Sequence, residues 1–153
     1  MTDERIQALA QHISSKKIRS FFGSKLVFKP YQSVSAEDLG SLENELNANI
    51  PDDIKTWIIE AGLGDVNEEL AFRLEFFSMI DLHGVGRSLV FAQDILGNFY
   101  AHNEVTRNIY YVNRSSIFEA KIAEDFYSFI QEYERRRFQL DAWTSELHSN
   151  TTN

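Results

Sequence analysis

The spacing of apolar residues changes twice along this chain, and that constrains the fold more than any other feature. Ile6, Leu9 and Ile13, then Leu39, Leu42 and Leu46, then Ile54, Trp57, Ile58 and Ala61 recur at helical intervals. Beyond Gly62 the period becomes two: Phe72, Leu74 and Phe76 alternate with Arg73 and Glu75. Leu89-Val90-Phe91-Ala92, Phe99-Tyr100-Ala101 and Ile109-Tyr110-Tyr111-Val112 are short β-prone runs. Helical spacing returns at Ile122, Phe126, Phe129, Ile130 and Tyr133. A helix gathers residues three and four apart on one face, whereas a strand gathers every second residue. Helices segregated from a meander of strands predict an α+β domain, with an antiparallel or mixed sheet of short strands flanked by helices.

Local signals place the boundaries. The first helix is expected over 3–22, with Lys16, Lys17 and Arg19 at its C-terminal end, where cations suit the helix dipole. Residues 23–34 then form a loop or short strand. Ser35-Ala36-Glu37-Asp38 has the form of a capping box, and Val34 with Leu39 that of a hydrophobic staple. Pro51 suits the first turn of another helix, and Asp52 and Asp53 place negative charge at its start. Gly62 suits its stop. Gly64 to Glu69 is expected to be an acidic loop, and Gly97-Asn98 a turn between strands. The chain divides into an N-terminal helix and extension packed on the core (1–34), a central domain (35–138) and a C-terminal tail (139–153) whose end, from Ser149, reads as frayed.

Composition narrows the functional classes. The chain of 153 residues can bury a core without cross-links. It has no Cys, which excludes disulfides and thiolate metal sites and fits a cytoplasmic home. No stretch approaches the roughly 20 apolar residues of a membrane span, and the start of the chain has no leader-like apolar run. The net charge of −8 is unevenly placed: +4 over residues 1–30, −11 over 31–104 and −1 over 105–153. An acidic middle repels nucleic acid and attracts basic partners, although it also serves ordinary solubility.

Catalytic motifs are scarce. His12, His83, His102 and His148 show no metal-ligand spacing, and no metal or cofactor is expected. His102-Asn103-Glu104 is the nearest approach to a site, with a surface histidine as the ordinary reading. Asp94 follows a buried-looking strand at a turn, where a carboxylate commonly caps its own backbone. An enzyme built on this chain would need Asp94 to meet Glu104 or His102. Trp57 and Phe126 read as core residues, with Trp57 a contact anchor in the alternative. Arg135, Arg136 and Arg137 suit a helix end better than a nucleic-acid site.

Three segments in order resemble the SMI1/KNR4 family, also called the SUKH superfamily. The first runs from Leu42 through Ile50-Pro51-Asp52-Asp53-Ile54-Lys55-Thr56-Trp57 to Gly62. The second is Val90-Phe91-Ala92-Gln93-Asp94-Ile95-Leu96-Gly97-Asn98-Phe99-Tyr100. The third joins Ile109–Val112 to Ile122–Ile130. Together they span about residues 39–133, with Pro51, Trp57, Gly62, Asp94, Gly97 and Phe126 as the motif positions. Ile54 stands where the family has a Tyr, and Ile95-Leu96 replaces smaller residues.

The resemblance implies an α+β fold and a non-catalytic role through protein partners. Bacterial members are mostly immunity proteins that neutralise a toxin, commonly a nuclease, of a polymorphic or contact-dependent system; fungal members act in cell-wall regulation. An acidic inhibitor can cover the basic ground on which a nuclease holds phosphate. The expected partner is therefore a basic toxin domain, and the expected contacts are Asp52, Asp53, Asp65, Glu68 and Glu69. A regulatory or scaffold module with another protein partner is the alternative.

Overall fold

A computed structural model describes residues 2–116 and 118–151. The order is α1 (Glu4–Ser15), β1 (Lys17–Ser20), β2 (Gly23–Leu26), β3 (Phe28–Gln32), α2 (Ala36–Leu46), α3 (Asp52–Ala61), β4 (Leu63–Val66), β5 (Leu70–Phe72), β6 (Ser78–Leu82), β7 (Gly86–Asp94), β8 (Phe99–Asn103), β9 (Ile109–Asn113), β10 (Phe118–Ala123), α4 (Phe126–Arg135) and α5 (Leu140–Thr151). The fold is α+β as the periods predict, and every strand pairing is antiparallel.

The main sheet runs β10-β9-β8-β7-β5-β4-β3. The long strand β7 takes β5 beside its C-terminal end and β6 beside its N-terminal end. Val90 pairs with Ala101 but Ala92 with Tyr100, so Phe91 is an extra residue on β7. This bulge turns both Phe91 and Ala92 toward the helices, while Val90 faces away. Trp57 of α3 sits among Phe28, Phe72 and Phe126, with ring centroids 6.3, 5.7 and 5.8 Å away. Phe129 of α4 meets Phe91 and Tyr100 at 6.1 and 5.7 Å. The helical face thus buries an aromatic core, while the other face carries a small cluster of strand residues around Leu82, Val90 and Ala101.

The local signals hold where the chemistry is self-contained. Ser35 Oγ accepts from the Asp38 N–H at 3.1 Å, and the Asp38 carboxylate accepts from the Ser35 N–H at 3.0 Å, so the capping box is complete. Val34 and Leu39 are both buried, as a staple requires. Gly62 ends α3 at φ 88°, where a Cβ would lie 2.9 Å from the Gln32 carbonyl oxygen. No side chain fits there without moving that backbone.

Three expectations about these elements fail. The first helix stops at Ser15, because Lys16 and Lys17 stand where the Ile6–Leu9–Ile13 stripe needs its next apolar member. Lys17–Ser20 instead pairs with Gly23–Leu26 in a separate two-stranded sheet. Gly64–Glu69 is not a loop: β4 and β5 join through a turn in which Asn67 and Glu68 are both left-handed (φ 51° and 57°), and the Glu69 N–H donates to the Val66 carbonyl at 3.0 Å. The alternation at Phe72, Leu74 and Phe76 breaks after Phe72 into a 3₁₀ turn over Leu74–Phe76. That turn leaves Phe77, three residues beyond Leu74, as the buried aromatic.

The C-terminal segment is no tail. α5 buries Leu140 and Trp143, with Trp143 stacked 5.6 Å from Phe129. Thr152 and Asn153, read as part of the frayed end, lie outside the described residues. The N-terminal helix is tied to α3: the Asp3 N–H donates to Thr56 Oγ1 at 3.0 Å, and Gln11 donates to Glu60 at 2.8 Å. Among the described residues, no helix is long and apolar enough to cross a membrane.

Candidate partner-binding surface

Four of the five expected contact carboxylates are occupied within the protein. Asp53 is buried, and its carboxylate accepts from the Ile54 N–H at 2.8 Å. Glu69 is partly buried and accepts from the Tyr133 hydroxyl at 2.7 Å and the Leu140 N–H at 3.0 Å. Burial pushes the Glu69 carboxyl up, and those two donors oppose the shift. Asp65 pairs with Arg73 at 2.9 Å. Glu68 sits between Lys25, at 3.4 Å, and Lys29; the side-chain bond from Lys29, then that from Lys25, holds its carboxyl below the usual range. Acidity in sequence therefore marked structural pairing at Asp53, Asp65, Glu68 and Glu69, while Asp52 is exposed at the start of α3.

An acidic surface lies on α2 and α3. α2 carries Glu37, Asp38, Glu43 and Glu45 and no cation, while α3 carries Asp52, Asp53 and Glu60 against Lys55 alone. Lys55 is spent on Glu43 at 3.1 Å, where the Ile50 N–H also donates at 2.7 Å. Glu37, Asp38, Glu45, Asp52 and Glu60 are all exposed. A groove of about 760 Å³ runs beside α2, lined by Glu37, Glu43, Asn44, Asn47, Asn49 and Glu104 among others. Asn47 closes α2 in the left-handed conformation (φ 51°), and the turn it starts forms one wall.

The groove shares Asn49 and Glu104 with a deeper pocket of about 320 Å³. Pro51, Met79, Leu89, His102 and Arg107 complete that lining. His102 is not the surface histidine expected: only 3% of it is exposed, and its Nε2 has no hydrogen-bond partner. Burial lowers its pKa, against the attraction of the Asp53 carboxylate, and burial raises the pKa of Asp53, against the attraction of His102. The ring is therefore held toward its neutral form. An orphaned buried polar atom is costly in isolation, and here it belongs to a residue that lines a pocket. Trp57 Nε1 is also unpartnered, but it is enclosed by aromatic rings.

The enzyme constellation does not assemble. Asp94 is committed to its own turn, where it accepts from the Leu96 and Asn98 N–H groups (both 3.0 Å), Asn98 Nδ2 (3.3 Å) and the Tyr100 hydroxyl (3.0 Å). His102 pairs with Leu89 near the far end of β7, so the two groups lie at opposite ends of the β7–β8 hairpin. Among the described residues there is no group of three or more His, Asp or Glu that could hold a metal ion. Gly97 (φ 81°) makes the turn, while Pro51 stands just before α3 and lines the pocket.

Comparison with family models finds no match, and comparisons with curated proteins and with solved structures find none either.

Proposed function

We propose that the chain is a non-catalytic protein-binding domain, an immunity protein that neutralises a basic toxin domain of nuclease type. The observation that carries this reading is α2: no cation of its own, Glu37 and Glu45 exposed without an ion pair among the described residues, and a groove beside it that shares residues with the His102 pocket. A basic partner gains long-range attraction from such a face and local specificity from the pocket. Resemblance to the SMI1/KNR4 family supports the same role. The occupied Asp94 weighs against acid–base catalysis.

Affinity capture from the source organism, with mass spectrometry of the eluate, tests the proposal. Capture of a basic domain that kills cells alone, and that is tolerated on co-expression with this chain, is the expected result. A captured partner with no toxicity would overturn the immunity role and leave a regulatory or scaffold module.

A further inference from the structure

The basic N-terminal region builds a second surface, away from the acidic one. β1 and β2 form a hairpin outside the main sheet, with Phe21 and Phe22 at its tip. These side chains are 94% and 95% exposed, and their rings meet edge to face at 5.0 Å. Single exposed apolar side chains are ordinary, but an adjacent aromatic pair with no covering residue marks a place of contact. Lys17 and Arg19 alternate along β1 on its exposed side.

Below the tip the hairpin and the α4–α5 connection enclose a groove of about 530 Å³. Its lining includes Phe21 and four cations (Lys16, Arg19, Lys25 and Arg137) against one carboxylate, Glu134, with Lys25 engaged by Glu68 from outside the lining. Glu134 is already neutralised by Lys16 at 2.8 Å and His12 at 2.7 Å. Burial opposes its ionisation, but those two partners outweigh it and hold the carboxyl below its usual range. Arg19 and Arg137 have no ion pair among the described residues. Arg137 and Phe138 both adopt left-handed backbone (φ 58° each), and the Phe138 carbonyl accepts from Asn67 Nδ2 at 2.8 Å. This fixes the wall that carries Arg137. Unpaired guanidinium groups are suited to carboxylates, which they can engage with two parallel bonds.

We infer that this groove docks an extended acidic peptide segment of a partner protein, with an apolar side chain of that segment packed on Phe21 and Phe22. Charge complementarity selects the occupant: an excess of cations lines the groove in a chain whose net charge is −8. The volume is that of a ligand cleft, typically about 300–1,000 Å³. Nucleic acid fits less well, because the acidic remainder of the chain repels a long run of phosphates. A bilayer fits less well, because these cations line the walls of a groove and do not present a flat face. The surface is separate from that assigned to the toxin and does not depend on it.

The test is fluorescence anisotropy with the full chain and a labelled peptide of glutamates around two central phenylalanines. Saturable binding that weakens with salt is expected, with a loss of about tenfold or more in R19E/R137E. F21S/F22S, which keeps every cation, is expected to lose about tenfold. K121E, a charge reversal on β10, is the control and should bind like the parent. Circular dichroism checks that each variant is folded. The inference is overturned if the peptide does not bind, or if R19E/R137E binds it unchanged. It is also overturned if phosphatidylserine vesicles or single-stranded RNA bind this surface in preference to the peptide, or if sedimentation shows a second copy already covering it.

Discussion

The two ends of the β7–β8 hairpin treat their polar groups in opposite ways. At the turn, the Asp94 carboxylate accepts four hydrogen bonds. At the other end, the His102 ring is more deeply buried, yet its Nε2 has no hydrogen-bond partner and the residue lines a pocket. A carboxylate with every lone pair engaged serves the turn and has little left for chemistry. A buried imidazole with an orphaned nitrogen lowers stability unless something else completes it. The satisfied end is therefore scaffold, and the unsatisfied end belongs to the proposed site.

The sharpest way to break this contrast is to empty the satisfied end. Asp94→Ala leaves the Asn98 N–H and the Tyr100 hydroxyl, both in buried residues, without their acceptor. A loss of about 3 kcal/mol in urea denaturation is expected, from two or more buried groups at about 1–3 kcal/mol each. A loss under about 1 kcal/mol would show that the turn does not need its carboxylate. Tyr100→Phe removes only one of the four donors and should cost about 1 kcal/mol, because Asp94 keeps the other three.

The open end predicts a dependence on pH. The pKa of His102 is lowered by burial, so the native state binds fewer protons there than the unfolded chain. Stability from this group is then complete above the unfolded value of about 6.5 and is lost as the pH falls from there through the lower native value. Asp53 acts with the opposite sign at more acidic pH, since its raised pKa lets the native state bind the extra proton. Denaturation midpoints of the parent should fall between about pH 7 and pH 5, and His102→Gln should flatten that slope. An unchanged slope in the variant would mean that the ring is not held neutral.

How much of this was legible follows from how local each signal is. The capping box at Ser35, the stop at Gly62 and the Asp94 turn depend on residues within a few positions of one another, and all three are where the sequence placed them. The β1–β2 hairpin was hidden because Lys16 and Lys17 are as acceptable at a helix end as in an exposed strand. α5 was hidden because Trp143 is buried by Phe129, which is near in space but not in sequence. The site was misread for a related reason. Whether a carboxylate is free depends on partners far along the chain: Lys29 for Glu68, and Tyr133 for Glu69. Only α2 could have pointed to the surface, because its four acids and no bases are a local count. The orphaned nitrogen of His102 had no signal in the sequence.

The same reasoning sets the last and smallest effect on stability. Glu37 and Glu45 are exposed on α2, and neither has an ion pair among the described residues. Glu37→Lys with Glu45→Lys should therefore change the unfolding free energy by no more than about 0.5 kcal/mol, measured by urea denaturation. Affinity for a basic partner should instead fall about tenfold or more, mostly through slower association, and the salt dependence should shrink with it. The matched control is Glu68→Lys, which sits between Lys25 and Lys29 on the far hairpin and lies outside the proposed contact. If Glu68→Lys weakens the partner and the α2 pair does not, the contact belongs to the β4–β5 hairpin, and the open end of β7–β8 is a pocket without a partner.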